Sequence, residues 1–88
     1  MSFHWLARKK KSLSPTDAAD LVGRFLEGTE LYPQEWNDFI EAGRVEPAVE
    51  GYRRECYRLD PMVNRPGSAD PAAVEELRRI IAALRALT

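Results

Sequence analysis

The stretch Asp70–Leu87 reads DPAAVEELRRIIAALRAL and predicts the fold class. Asp70 is a residue type that caps helix N-termini, and Pro71 suits the first helical position. Apolar side chains then recur at intervals of three and four residues, which is the spacing of one helix face. These side chains are Val74, Leu77, Ile80, Ile81, Leu84 and Leu87. The pattern predicts an amphipathic helix over residues 71–87.

Three more segments carry the same helical spacing, and each begins beside a proline. They predict helices over residues 15–27, 33–42 and 47–59, the first of them capped by Ser14. No segment alternates apolar and polar residues, so no sheet is expected. The fold class predicted is therefore all-α, a small antiparallel bundle of four helices joined by short loops.

The remaining segments do not have a helical pattern. Residues 60–71, DPMVNRPGSADP, contain three prolines and a glycine, which predicts a loop. Residues 1–13 lack a sustained period and include the charge run RKKKS, which predicts an irregular basic tail. The expected organisation is a flexible basic and aromatic tail at residues 1–13 and a single helical domain at residues 14–88.

The composition is that of one small domain of 88 residues. The single cysteine excludes an internal disulfide and a zinc site built from several cysteines. No apolar run approaches the length of about 18 residues that a membrane-spanning helix needs. The N-terminal residues lack the apolar core of a signal peptide, so a cytoplasmic location is expected.

The charges are divided unevenly along the chain. All three lysines stand together at residues 9–11, beside Arg8. Residues 14–88 contain nine arginines and fourteen acids, which gives a charge of −5. An acidic body argues against nucleic acid as a partner, because phosphate contacts need clustered cations. It permits a basic protein as the partner.

The residues needed for most enzyme chemistry are lacking. The only histidine, His4, lies in the predicted tail, and Cys56 lies on an apolar stripe where a thiol usually serves as core filling. No phosphate-binding loop or metal-binding motif occurs in the chain. We therefore expect no enzyme activity, no cofactor and no metal, and we expect Cys56 to lie in the core.

The predicted helix at residues 33–42 has an apolar and an acidic side. Its apolar side, with Tyr32 before the helix, consists of Tyr32, Trp36, Phe39 and Ile40. Its acids are Glu35, Asp38 and Glu41. The apolar residues are expected to face the core, and the three acids are the candidate partner-binding residues. The alternative is that these acids form only a solvated face. A homodimer is a further option that the sequence leaves open.

The N-terminal segment also has a membrane interpretation. Its apolar side chains could enter a lipid interface while its cations contact anionic headgroups. The residues concerned are Phe3, Trp5, Leu6, Arg8, Lys9, Lys10 and Lys11. Under this alternative, the protein is an adaptor, peripheral at the inner face of the membrane and weakly attached to it. The competing interpretation is a solubilising terminus without a partner.

The order of four motifs resembles two groups of proteins. DAADLVGRFLEGT, EWNDFIEAG, YRRECYRL and VEELRRIIAALRAL follow one another over residues 16–87, as in small all-helical bacterial proteins of uncharacterised function. FLEGT followed by Glu35 and Trp36 distantly resembles the colicin-immunity type of small acidic helical protein. That resemblance implies binding of a basic toxin domain through acidic residues, and hence a neutralising role.

Overall fold

The computed structural model describes residues 12–87, which form four helices and no strand. The helices are α1 (Pro15–Glu27), α2 (Glu35–Ala42), α3 (Pro47–Val63) and α4 (Pro71–Ala86). The prediction of an all-α fold with four helices is confirmed. The bounds of α1 are those predicted, while the bounds of the other three helices differ by between one and four residues.

The termini of α1 show why this helix was predicted correctly. The Ser14 hydroxyl accepts the Asp17 N–H at 3.1 Å, and the Asp17 carboxylate accepts the Ser14 N–H at 3.4 Å. This reciprocal capping box satisfies two N–H groups that a helix start otherwise leaves unbonded. Gly28 ends the helix at φ 72°, a left-handed conformation that glycine adopts without a steric penalty.

Helix α4 packs against α1 over the largest interhelical contact of the described chain. Asp70 caps it by accepting the Ala73 N–H at 3.0 Å. Its buried residues are Ala73, Leu77, Ile80 and Leu84, four residues on one side. The helix ends at Ala86, and Leu87 is 48% exposed rather than part of the apolar stripe. The N–H of Leu87 bonds to the Leu84 carbonyl at 3.1 Å, which tightens the last turn and ends the helix.

Helix α3 continues four residues beyond its predicted end, through Pro61 to Val63. A proline lacks the N–H that would bond to the carbonyl of Tyr57, and inside a helix this costs roughly 3 kcal/mol. Pro61 is exposed, so water reaches that side of the helix. Leu59 and Val63, four residues apart, are both buried, and Met62 packs against the core. Their burial offsets the cost of the proline, so the prediction of a loop at residues 60–63 is wrong.

Helix α2 begins at Glu35, two residues later than predicted. The Glu35 N–H donates to the Tyr32 carbonyl at 3.0 Å, and the Trp36 N–H donates to the Glu30 carboxylate at 2.9 Å. Glu30 therefore satisfies an N–H of the first turn from outside the helix. Tyr32 lies in the preceding turn and is 47% exposed, so its predicted place on the apolar face is wrong.

Trp36 is at the centre of the core, as predicted, with 1% of its surface exposed. Its ring stacks on Phe25 of α1 with centroids 3.9 Å apart, and Phe39 packs at 6.2 Å. The indole N–H donates to the Asp60 carboxylate of α3 at 2.7 Å. One side chain thus joins three helices while its polar atom remains bonded. Cys56 is also fully buried, which confirms its predicted place in the core.

The segment before α1 is attached to the turn between α2 and α3. The Leu13 N–H donates to the Arg44 carbonyl at 2.8 Å, and the Leu13 carbonyl accepts the Glu46 N–H at 3.0 Å. The Leu13 side chain packs against the core. Leu13, which the sequence placed at the end of the basic tail, therefore contacts the helical domain directly. The rest of that predicted segment, up to residue 11, lies outside the described residues.

Candidate functional site

A groove of about 530 Å³ lies between α1 and α2. Four carboxylates and two guanidinium groups line it, together with apolar side chains. The charged residues are Asp17, Asp20, Arg24, Glu35, Asp38 and Arg44. The apolar and aromatic residues are Leu13, Leu21, Leu31, Tyr32 and Phe39. Its volume falls within the range usual for ligand sites.

The apolar residues of the groove differ strongly in exposure. Leu21 and Phe39 are 6% and 2% exposed and belong to the core. Leu31 and Tyr32 are 72% and 47% exposed, although both are large. The groove therefore combines buried apolar side chains with two prominent exposed ones, as recognition sites commonly do.

Glu35 and Arg24 form a bidentate ion pair inside the groove. The Arg24 guanidinium donates to the two carboxylate oxygens of Glu35 at 3.2 and 2.6 Å. Glu35 is 5% exposed, whereas Arg24 is 29% exposed. The hydrogen bonds from Arg24 lower the pKa of Glu35 although burial opposes the shift, and the same bonds raise the pKa of Arg24.

The predicted outward orientation of Glu35 is therefore wrong. Its carboxylate also accepts the Leu31 N–H at 3.0 Å, so it is bonded to α1 and to the loop before its own helix. The sequence interpretation grouped Glu35 with Asp38 and Glu41 as acids, and it did not identify the partner that draws Glu35 inward, because Arg24 lies eleven residues away. A cation from outside would have to displace Arg24 to reach this carboxylate.

The loop between α1 and α2 is held in place at successive residues. Glu30 bonds through its side chain to Trp36, and Leu31 bonds through its N–H to Glu35. Tyr32 accepts the Glu35 N–H through its carbonyl. All three hydrogen bonds join the loop to the first turn of α2. The backbone that carries the exposed Leu31 side chain is therefore constrained.

Asp38, the second predicted partner-binding residue, is exposed at the groove. Its carboxylate accepts the Tyr32 hydroxyl at 3.2 Å. Partial burial and this bond to Asp38 raise the pKa of Tyr32, so the phenol remains protonated near neutral pH. The bond uses one oxygen, and the exposed carboxylate retains acceptor sites for a cation.

The sequence interpretation missed two further carboxylates on α1. Asp17 and Asp20 both line the groove, with Arg24 four residues after Asp20. Asp17 belongs to the capping box, and Asp20 pairs with Arg85 of α4 at 3.1 Å on a half-exposed surface. Their spacing of three and four residues places them on one face of α1 and was the available signal.

Glu41, the third predicted residue, is exposed but lines a different depression of about 550 Å³. That depression also contains Tyr57 and the arginines Arg53 and Arg54. Arg53 and Arg54 both pair with Glu50 of their own helix, at 2.8 and 3.0 Å. The hydrogen bonds from Arg53 and then Arg54 lower the pKa of Glu50 to about 2. Glu35, Asp38 and Glu41 thus do not form one acidic surface.

One cysteine thiol lies within the described residues, and it is buried. Burial raises the pKa of the Cys56 thiol to about 12, which leaves almost no thiolate at neutral pH. Within residues 12–87, no group of three metal-ligating side chains is placed to hold an ion.

Among the helices of residues 12–87, none has the length and apolar character to cross a bilayer. The predicted membrane-contact residues, from Phe3 to Lys11, lie outside it.

Comparison of the chain with protein-family models, curated proteins and solved structures gave no match. The geometry of the groove is therefore what bears on its function.

Proposed function

We propose that the protein is a small protein-binding module whose acidic groove holds cationic side chains of a basic partner. The observation that carries the proposal is the lining of the groove, where carboxylates outnumber guanidinium groups by four to two. The pair of Arg24 with Glu35 is neutral, so the remaining lining is negative. A negative groove speeds the approach of a basic partner and disfavours an acidic one.

Asp38 supports this function better than the other predicted acids, because it is exposed and lies at the groove. Glu41 adds negative charge nearby on the same helix. Glu35 acts indirectly in the proposal, since it positions Leu31 and neutralises Arg24. The biological form of such binding would be neutralisation or regulation of a basic protein in the cytoplasm, as in immunity proteins. Three further expectations remain predictions within this proposal. They are the antiparallel order of the helices, a basic N-terminal tail and a homodimer.

The test is affinity capture from an extract of the native host at low and high salt. The wild-type protein is compared with the double variant Asp20→Asn, Asp38→Asn and with the control Glu75→Gln on the exposed surface of α4. We expect a basic protein that the wild type and the control retain, and that both the double variant and high salt release. Equal retention of the same proteins by the wild type and the double variant would contradict the proposal.

A second candidate is a peripheral membrane adaptor, favoured by the apolar and cationic composition of residues 3–11. Four cations at about 1 kcal/mol each give only a millimolar-scale affinity, so apolar contacts or a dimer would have to add to it. Co-sedimentation with vesicles of anionic lipid tests it. Binding that is lost on deletion of residues 1–11 would support the adaptor, whereas no binding by the full chain would exclude it.

A further inference from the structure

We infer that the groove binds a peptide segment in which a large apolar side chain is flanked by arginine or lysine, and that Leu31 is its principal apolar contact. This inference rests on the proposed function and specifies the partner chemistry. The partner is a segment of another protein, and the cationic side chains would bond to Asp38 and Asp20. Charge alone does not define such a partner, because Leu31 adds an apolar requirement.

The presentation of Leu31 is the first argument. Leu31 is 72% exposed, the highest value among the exposed large apolar residues of the part of the chain that the structure describes. Its backbone N–H is nevertheless bonded to the buried carboxylate of Glu35 at 3.0 Å. The neighbouring Tyr32 is bonded on both its carbonyl and its hydroxyl. An exposed apolar side chain on a constrained loop can bind without ordering that loop, which lowers the entropic cost of association.

The placement of charge beside Leu31 is the second argument. Asp38 and Leu31 line the same groove, and Tyr32 connects them through its hydroxyl bond to Asp38. Asp20 supplies a second carboxylate from α1, and this half-exposed carboxylate also pairs through one oxygen with Arg85 at 3.1 Å. An apolar side chain of the partner can therefore contact Leu31 while its flanking cations reach carboxylates of both helices. Complementary charges set the orientation of such a segment, and apolar burial supplies the affinity.

The chemistry of the lining also disfavours other occupants. A phosphate or an acidic peptide would meet Asp17, Asp20 and Asp38, and Glu35 engages Arg24, so Arg44 is the one cation of the described lining outside that pair. A purely polar cationic ligand would leave Leu31 in water and gain nothing from it. Of these ligands, only a segment that carries both an apolar side chain and flanking cations contacts Leu31 and the carboxylates of the groove together.

Isothermal titration with synthetic peptides tests the inference. The probe is the acetylated and amidated hexapeptide Arg-Lys-Leu-Leu-Lys-Arg, titrated into the full chain at low salt. One matched peptide replaces both leucines by glycine, and a second replaces every cation by glutamate. We expect the probe to bind, the glycine peptide to bind about tenfold more weakly, and the glutamate peptide not to bind.

Protein variants locate the binding surface. Leu31→Ser should weaken binding of the probe about tenfold, whereas Leu87→Ser, at another exposed leucine, should leave it unchanged. Asp38→Asn should weaken it about threefold, and Glu75→Gln should not. Unchanged thermal melting of Leu31→Ser would show that the loss is not caused by unfolding.

Two results would overturn the inference. One is the absence of probe binding to the wild-type protein. The other is equal binding of the probe by Leu31→Ser and the wild type. In either case, capture of a basic partner that depends on Asp20 and Asp38 would still support the proposed function. Failure of that capture, with the peptide results as expected, would instead show a groove without a basic partner in the host.

Discussion

Arg24 of α1 holds the buried carboxylate of Glu35 at the start of α2 through two hydrogen bonds of 3.2 and 2.6 Å. The same carboxylate holds the Leu31 N–H, so one acidic side chain joins two helices and the loop between them. A buried ion pair contributes little net stability, but loss of one partner leaves the other charge unpaired. The pair therefore determines the shape of the groove more than it stabilises the fold.

The pH dependence of stability should report this pair. The pKa of Glu35 is lower in the folded protein than its ordinary value of 4.5, because of Arg24. The unfolded state thus binds more protons at acidic pH. The stability contributed by Glu35 is fully present above about pH 4.5 and is lost as the pH falls through the folded pKa. We expect the urea midpoint to fall over that acidic range, and to fall less in Glu35→Gln than in the wild type.

A matched control is needed, because Glu50 also has a lowered pKa, of about 2, and contributes a dependence of the same sign. Glu50→Gln should reduce the fall of the urea midpoint at acidic pH. It should not affect peptide binding, since Glu50 does not line the groove. Glu75→Gln, at an exposed residue that forms none of the ion pairs found within residues 12–87, should leave the profile as in the wild type. Identical profiles for Glu35→Gln and the wild type would contradict the role of the pair.

Trp36 should be the most costly single truncation. Trp36→Ala removes the stack on Phe25 and the hydrogen bond to Asp60, and it leaves a cavity among three helices. We expect a loss of about 3–5 kcal/mol in the free energy of unfolding. For a domain of this size, the thermal midpoint should fall by more than about 10 °C. Tyr57→Ala, at an aromatic residue that is 57% exposed, should change stability by less than about 0.5 kcal/mol.

Replacement of two glycines by alanine should change the stability of the protein in opposite directions. Gly51 is exposed inside α3, and a Cβ there would meet no atom within 4 Å. Gly51→Ala should therefore stabilise the protein by about 0.5–1 kcal/mol. A Cβ at Gly43 would lie 2.5 Å from the backbone carbonyl oxygen of Phe39, so Gly43→Ala should destabilise it by about 1 kcal/mol or more. Chemical denaturation of both variants tests the pair, and a stabilised Gly43→Ala would contradict the structure at that turn.

The parts of the fold that could be predicted from the sequence depend on interactions between near neighbours. The caps at Ser14 and Asp70 each bond within three residues, and apolar stripes repeat every turn. The extension of α3 through Pro61 was missed because it depends on burial of Val63, which propensity does not register. Tertiary packing overrides a helix breaker when it gains more than the missing hydrogen bond costs.

The groove was predictable only in part for a related reason. Asp38 was identified because it lies on the outer side of a short amphipathic helix. Glu35 was misplaced because its partner Arg24 is distant in sequence, and Leu31 was overlooked because it lies outside the apolar stripe of any predicted helix. Exposure of a large apolar residue is a property of the folded surface, so no sequence period could show it.

Cys56 provides a measure of how often the core opens. The thiol is fully buried on α3 and burial raises its pKa to about 12, so reaction with a thiol reagent near pH 8 requires the core to open. We expect labelling of the native protein to be more than about 100-fold slower than labelling in urea, since only the opened population reacts. Trp36→Ala should speed native labelling, because it lowers the free energy of opening, whereas Tyr57→Ala should not. Labelling of the native wild type at the rate measured in urea would show that the thiol reaches solvent without opening, and would contradict the packing of α3 described above.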